Sequence, residues 1–283
     1  MTDSPEPFTG DTTQKRFQHG LALVPISLFF LTAISTTLAV GSIWYAVAIL
    51  LILGAHEFGH YFACRWHNVD CTLPYFLPMP LILTGTLGAV IKIREPFPSR
   101  AALFDIGVAG PIAGFITLLP FMIAGIVMSE VTPLPDEPGL LLLGEPLLFK
   151  FIAQIVHGPL SEGMDIVIHP MGFAAWFGML ATALNLLPFG QLDGGHLAYA
   201  VFRRRAATLS MGALATVIAL SFVSYSWIAM AVMLSVMAYF MGIRHPAPWD
   251  DTTPLTRGRL IVAAVAVLIF IGCFTPVPLT IDW

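Results

Sequence analysis

The longest uncharged stretch of the chain constrains the fold more than any other feature. Residues 20–55 contain no Asp, Glu, Lys or Arg. A single membrane-spanning helix needs about 20 apolar residues, so this stretch is long enough for two helices. Gly41 and Ser42 interrupt it, and glycine favours turns over a helix interior. The sequence therefore predicts a hairpin of two transmembrane helices, over residues 20–39 and 43–64.

Composition is typical of an integral membrane protein. Hydrophobic residues make up 57% of the chain and charged residues 11%, whereas about a quarter of a soluble domain is charged. The mean hydropathy is +0.83. The lipid bilayer is therefore an expected partner. Nucleic acid is not, because the net charge is -4 and nucleic-acid-binding proteins usually carry an excess of basic residues. Cys64, Cys71 and Cys273 form no Cys-x-x-Cys pair and are predicted to be buried packing residues.

Five later apolar stretches predict further membrane-spanning helices. They lie at residues 103–128, 171–187, 208–222, 226–243 and 259–275, and the stretch at 208–222 is short for a span. Together with the N-terminal hairpin, they predict an all-α polytopic membrane protein with about six to seven transmembrane helices.

The chain between the second and third spans predicts a short β-structure. Residues 86–95 alternate, with Leu87, Ala89, Ile91 and Ile93 on one face. Alternation with a period of two residues is typical of a strand. Because the flanking chain is rich in proline and glycine, we expect a short re-entrant β-hairpin between the second and third transmembrane helices.

The distribution of Lys and Arg predicts which side of the membrane each loop faces. Short cytoplasmic loops carry an excess of these residues. Basic clusters at residues 15–16, 65–100, 203–205 and 244–259 alternate with the loop at 129–170, in which Lys150 is the single Lys or Arg. The N-terminus is therefore predicted to be cytoplasmic. Within that loop, apolar residues at helical spacing over 147–156 predict an interfacial amphipathic helix.

Three polar residues near the end of the second predicted span carry the candidate chemistry. His56 and His60 lie one helical turn apart, so both imidazoles project from nearly the same face and can chelate one ion. Glu57 is offset by about 100 degrees around the helix, so it can reach a water on that ion without being a ligand. A chance match is the alternative, but ionisable groups inside a span cost several kcal/mol unless they are paired or bind a metal. The pattern predicts a zinc site with its general base.

Asp193 is the candidate for a third ligand. A catalytic zinc site has three protein ligands and one open position. Asp193 is the only acid between Asp165 and Asp250, and it lies on the same predicted side of the membrane as the two histidines. The alternative is a turn or helix N-cap ahead of the two glycines that follow it.

Two motifs together resemble the site-2 protease family of intramembrane zinc metalloproteases. They are His-Glu-Phe-Gly-His at residues 56–60 and Asn-Leu-Leu-Pro-Phe-Gly-Gln-Leu-Asp-Gly-Gly at 185–195. The stretches at 85–89 and 104–111 are also similar to the family's sequences. The resemblance covers residues 45–200, in the family's order.

The resemblance implies a role for each motif residue. His56, His60 and Asp193 would hold one zinc ion per chain, Glu57 would be the general base, and Asn185 would lie near the site. The implied substrates are single-span membrane proteins, cut within or close to the bilayer. Positive-inside counting places the active site toward the cytoplasmic side. For Asn185, an interhelical hydrogen bond is the alternative.

The chain is accordingly expected to have three parts. Residues 1–19 would form a cytoplasmic polar tail, residues 20–205 a catalytic transmembrane core, and residues 206–283 additional C-terminal transmembrane helices. Gly110 and Gly114 are expected to form a close-packing face and to take no part in catalysis.

Two other functions remain open at this point. One is a catalytically silent membrane chaperone or adaptor that retains the metal site, although the intact Glu57 argues against it. The other is a metal transporter, in which ligands would be staged along several spans. The candidate ligands here cluster at one predicted depth, which argues against transport.

Overall fold

The first two helices form the expected hairpin. A computed structural model describes residues 23–133 and 141–281, and the predicted tail at residues 1–19 lies outside them. Helix α1 is Leu23–Val40 and helix α2 is Ile43–Trp66. Gly41 joins them with a φ of 70°, a left-handed conformation that glycine adopts without strain. The predicted break near Gly41 and Ser42 is confirmed.

Helix α3 spans Arg100–Val127 and is the longest helix of the described chain. The hydroxyl of Ser99 starts it by accepting a hydrogen bond from the backbone N–H of Ala102, at 3.2 Å. Among the described residues, α1, α2 and α3 are long and apolar enough to cross a membrane. The chain is therefore a membrane protein with a largely helical fold.

The other helices of the described chain are shorter than these three. They are α4 Leu147–His157, α5 Pro170–Asn185, α6 Asp193–Phe202, α7 Ala206–Leu220, α8 Ile228–Met241 and α9 Arg257–Cys273. Helices α5, α7, α8 and α9 lie where spans were predicted. Their lengths are 16, 15, 14 and 17 residues, below the roughly 20 that cross a bilayer without tilt or thinning. The number of spans beyond three therefore remains a prediction.

A β-hairpin lies between α2 and α3, as the alternation predicted. Strand β1, Tyr75–Pro78, pairs antiparallel with β2, Thr86–Val90. The predicted strand at 86–95 is thus present over its first half, and an isolated bridge joins Cys71 to Ile93 beyond it. The turn end of this hairpin is tied to the two N-terminal helices. The Ser35 hydroxyl donates to the Gly85 carbonyl at 2.6 Å, and the Tyr45 hydroxyl donates to the Thr84 carbonyl at 3.1 Å.

Two further small sheets depart from the all-α expectation. Strand β3, Glu130–Pro133, pairs with β5, Met164–Val167, and strand β4, Leu141–Leu143, pairs with β6, Leu279–Ile281. These strands have three or four residues, too few to show a period-two alternation in the sequence. The described chain is therefore mostly helical with three small two-stranded sheets.

The main apolar core lies between α3 and α5, with α2, α6 and α9 around it. Phe104, Leu118 and Met122 of α3 and Trp176 and Met179 of α5 are almost fully buried there. The predicted amphipathic helix is present as α4. It buries Phe149 and Ala153 against this core, while Leu147, Phe151 and Ile155 are exposed on its other face.

Candidate metal centre

Helix α2 brings the first two candidate ligands together. His56, Glu57 and His60 are buried, with exposed fractions of 6%, 7% and 6%. The Nε2 atoms of His56 and His60 lie 3.2 Å apart, as the one-turn spacing predicts. The two imidazoles therefore converge on one point.

Asp193, the first residue of α6, completes a triangle of ligand atoms. Its Oδ2 lies 3.2 Å from Nε2 of His56 and 3.3 Å from Nε2 of His60. Zinc ligands at about 2.0–2.1 Å in a tetrahedron stand about 3.3 Å from one another. Two imidazoles and a carboxylate are also a donor set found in catalytic zinc sites. In donor chemistry and spacing, this cluster fits a zinc ion.

The backbone of α3 sets the tautomer of His60. The Nδ1 atom of His60 lies 2.7 Å from the carbonyl oxygen of Ile106. A carbonyl can only accept, so Nδ1 carries the proton and Nε2 presents its lone pair to the triangle. A histidine that binds a metal is commonly oriented in this way.

Glycines on α3 make room for the two histidines. A Cβ added at Gly110 would overlap the His60 ring, and one added at Gly114 would lie 3.2 Å from Cβ of His56. One added at Gly107 would lie 2.7 Å from Cβ of His196 in α6. The expectation that Gly110 and Gly114 pack closely is confirmed, and the surface that they contact is the candidate site itself.

The two glycines after Asp193 allow α6 to begin against the preceding turn. A Cβ at Gly194 would collide with the carbonyl of Leu186, and one at Gly195 with the carbonyl of Gly190. Gly190 itself has a φ of 50°, which favours glycine. The glycines of this motif therefore position the carboxylate of Asp193 through backbone packing.

Asn185 and Glu57 border the triangle. Asn185 is the last residue of α5, and its Nδ2 lies 3.2 Å from Nε2 of His56. The backbone N–H of Ile91, just after β2, lies near the carboxylate of Glu57. The structure thus brings all five predicted site residues together, and it adds the backbone of Ile91 and Ile106, which no side-chain motif could indicate.

The charges around Asp193 favour its ionised form. Burial alone would raise the pKa of Asp193, but when His60 and His56 are protonated, their charge and hydrogen bonds outweigh burial. They hold the pKa of this carboxyl well below its usual range. Asp193 is therefore a carboxylate, the form that binds a cation.

A second pair of histidines is formed by His196 of α6 and His245, which follows α8. His196 Nδ1 is 2.6 Å from Nε2 of His245, whose Nδ1 is 2.6 Å from the carbonyl of Pro246. Because that carbonyl only accepts, His245 Nδ1 carries a proton, His245 Nε2 accepts, and His196 Nδ1 donates. Burial and the nearby His245 lower the pKa of His196 to about 3. His196 is therefore neutral at physiological pH.

The sequence is similar to those of proteins named as zinc metalloproteases. The model of the family described as peptidase family M50 matches residues 44–228. The chain is 29% identical over 239 residues to the probable zinc metalloprotease EGY2, chloroplastic, of Oryza sativa subsp. indica. The aligned region covers 81% of this chain and 41% of that protein. The chain is 31% identical over 228 residues to the Arabidopsis thaliana protein of the same name, covering 79% and 39%.

A third relative matches a shorter part of the chain. The probable zinc metalloprotease EGY1, chloroplastic, of Arabidopsis thaliana is 33% identical over 166 residues, which cover 57% of this chain and 30% of that protein. The chain thus spans less than half the length of each of these relatives.

Proposed function

Because the chain belongs to peptidase family M50, the site-2 protease family, we propose that it is a membrane-embedded zinc metalloendopeptidase. Its substrates are single-span membrane proteins, whose peptide bonds it hydrolyses within or close to the bilayer. The observation that carries this proposal is the triangle of His56, His60 and Asp193 beside Glu57. Three of these four residues lie in α2, a helix apolar enough to cross a membrane.

Each site residue has a distinct part in the proposed reaction. His56, His60 and Asp193 would hold a zinc ion. Bound there, zinc would supply Lewis-acid chemistry, polarising a carbonyl and lowering the pKa of water to about 7. Glu57 accepts a proton from the attacking water and delivers it to the leaving nitrogen. The amide of Asn185 donates a hydrogen bond to the oxygen of the scissile carbonyl as negative charge develops there.

The β-hairpin is proposed to re-enter the membrane beside the site. Its two ends contact opposite ends of α2, which supports this placement. Thr84 at the turn bonds to Tyr45, the third residue of α2, whereas Cys71 packs against Cys64 near the other end. The hairpin therefore runs along most of a helix that is long enough to cross the bilayer.

The same hairpin is proposed to receive the substrate backbone. A transmembrane helix must unwind before its peptide bonds are accessible, because its carbonyls and N–H groups are paired internally. β2 pairs with β1 along one edge, and the backbone N–H of Ile91, just after β2, lies near Glu57. An unwound segment that added to the other edge of β2 would lie next to the general base.

The proposed topology has six to seven spans, with the N-terminus and the active site toward the cytoplasm. Helices α5, α7, α8 and α9 supply the spans beyond the first three, and the catalytic core ends at residue 205. Cysteine labelling tests this arrangement, since the native cysteines are buried. Arg204→Cys should react with a membrane-impermeant maleimide from the cytoplasmic side and Gln154→Cys from the opposite side. The reverse pattern would overturn the topology.

The enzymatic proposal is tested with the purified full chain in liposomes. Synthetic single-span peptides are incubated with it, and the products are identified by mass spectrometry. We expect cleavage inside the apolar segment, abolished by a zinc chelator and restored by added zinc. Cleavage that persists without zinc would overturn the proposal. Peptides that bind the zinc-loaded chain and stay intact would favour the adaptor function instead.

A further inference from the structure

Asp105 joins three helices at one carboxylate. It lies in the second turn of α3. Arg259 of α9 donates from Nε to Oδ1 at 2.8 Å and from Nη2 to Oδ2 at 2.7 Å. His67, the residue after the end of α2, places Nε2 2.9 Å from the same Oδ2. The fork of Arg259 fits the carboxylate with two bonds, which fixes its orientation as well as its distance.

Asp105 directly precedes Ile106, a residue whose backbone contacts the candidate zinc site. The next residue along α3, Ile106, supplies the carbonyl that accepts the Nδ1 proton of His60 at 2.7 Å. His67 is seven positions after His60 on the chain that leaves α2. The end of α2 and the second turn of α3 are therefore joined twice, through Asp105 and through the peptide of Ile106.

The ion pair between Arg259 and Asp105 is expected to contribute little to the stability of the fold. Arg259 and Asp105 have side chains that are 28% and 29% exposed, and pairs near a surface contribute about 0–1 kcal/mol. The two hydrogen bonds from Arg259 do, however, fix the position of Asp105, and with it the start of α3, relative to α9. The helix that they fix carries the acceptor for His60, and Gly110, one turn further along, contacts the His60 ring.

A second arginine–aspartate pair offers a contrast. Arg203 donates from Nη2 to Oδ2 of Asp251 at 3.1 Å, with side chains 48% and 27% exposed. It joins the end of α6 to the chain that precedes α9. Neither of its residues adjoins one that bonds to His56, His60 or Asp193 among the described contacts. The two pairs have the same chemistry and different neighbours.

We propose that Arg259 and Asp105 are positioning residues of the zinc site. Arg259 lies beyond residues 44–228, the part of the chain that matches the family. Its fork holds Asp105, so that the Ile106 carbonyl stays against Nδ1 of His60 and Nε2 of His60 stays on the ion. The inference rests on the proposed function in one respect, that His60 is a zinc ligand.

The test measures zinc affinity, with no substrate present. The purified full chain and its Arg259→Met variant compete for zinc with a chromophoric chelator. We expect Arg259→Met to bind zinc about tenfold more weakly, since loss of groups that orient a ligand costs about 10–100-fold. Arg203→Met, with the same change of charge and length at the other pair, should leave the affinity unchanged. Arg259→Lys should restore part of the loss, because it keeps the charge without the fork.

Two further measurements separate positioning from general destabilisation. The double variant Arg259→Met, Asp105→Asn should bind zinc no more weakly than Asp105→Asn alone, since Asp105→Asn already disrupts the pair with Arg259. The visible absorption spectrum of the cobalt-substituted chain should change in Arg259→Met and stay the same in Arg203→Met. If Arg259→Met does not fold, Arg259→Lys and Asp105→Asn supply the same comparison.

The inference would be overturned if neither Arg259→Met nor Arg203→Met changed the zinc affinity or the cobalt spectrum. It would also be overturned if both variants lost the same affinity, because this would reflect general loosening of the fold. The affinity ratio does not depend on proteolysis. A chain that held zinc but cleaved nothing would contradict the proposed function and leave this comparison intact.

Discussion

Two pairs of apolar helices, α2 with α3 and α7 with α8, differ in how closely their side chains are packed. In α3, a Cβ added at Gly110 or Gly114 would meet a histidine of α2. In α7, a Cβ added at Gly212 would meet nothing within 4 Å. In α8, Leu234 is buried, whereas Phe240 and Tyr239 are 77% and 83% exposed.

The difference shows what hydropathy can and cannot identify. Both pairs are rich in apolar side chains, and hydropathy alone does not distinguish them, because lipid and protein interior accept the same side chains. Closely packed helices carry small residues where backbones approach, and buried polar residues where chemistry takes place. The α2–α3 pair has both features. Substitutions in or near the α2–α3 pair should therefore have larger effects than matched substitutions elsewhere.

Glu57→Gln should have the largest effect. The amide keeps the shape of the side chain but cannot accept the proton, so kcat should fall about a thousandfold while zinc remains bound. The measurements are the cleavage rate of a single-span peptide in liposomes and the zinc content by elemental analysis. The control is Ser235→Ala in α8, whose exposed hydroxyl bonds to Ala231 of its own helix and should be dispensable. A zinc-loaded Glu57→Gln variant with the normal rate would refute the assignment of the base.

Asp193→Asn should have the next largest effect, on zinc binding. Loss of a group that merely orients a ligand costs about 10–100-fold, so loss of a ligand charge should weaken zinc binding by about a hundredfold or more. Competition with a chelator measures it. Asp165→Asn in β5, where the carboxylate bonds to the adjacent Ile166 N–H, is the control. Full zinc occupancy with unchanged activity would remove Asp193 from the ligand set.

Gly110→Ala and Gly212→Ala compare the two helix pairs directly. The added methyl at Gly110 would overlap the His60 ring, so it should lower the free energy of unfolding by about 1–3 kcal/mol and weaken zinc binding. At Gly212 the methyl meets open space, so the variant should be unchanged or more stable by about 0.5–1 kcal/mol. Denaturant unfolding in detergent measures both. Equal responses would mean that the α2–α3 contact is not as close as described.

The smallest effect concerns pH. Burial and His245 lower the pKa of His196 to about 3 from 6.5, so the unfolded chain binds more protons between these pH values. The contribution of His196 to the free energy of unfolding should therefore be complete above about pH 6.5 and fall at lower pH. The difference between wild type and His196→Gln, followed from pH 7 to pH 5, should shrink by at most about 1.4 kcal/mol per unit. A difference independent of pH would contradict the described burial of His196.

Features that do not depend on how the helices cross were predictable from the sequence. The spacing of His56, Glu57 and His60 fixes their relative directions once a helix is assumed. Asp193 could be chosen because it is the only acid between Asp165 and Asp250 and lies on the same predicted side of the membrane as the two histidines. Neither inference needed to know how the helices cross.

Features that depend on how helices cross could not be predicted. The sequence contains no sign that the carbonyl of Ile106 bonds to His60, or that Arg259 reaches Asp105 from 154 positions away. The pairing of β4 with the C-terminal β6 was missed for a similar reason, since strands of three residues show no alternation and their partner is remote in the chain. In each case the missing information is tertiary.

X-ray absorption at the zinc edge of the purified full chain tests the central claim most directly. The account predicts one zinc per chain, with two imidazoles and light oxygen or nitrogen ligands at about 2.0–2.1 Å. Asp193→Asn should change this first coordination shell. A sulfur ligand at about 2.3 Å, which Cys64 or Cys71 would supply, or a chain that holds no zinc, would contradict a site built from His56, His60 and Asp193.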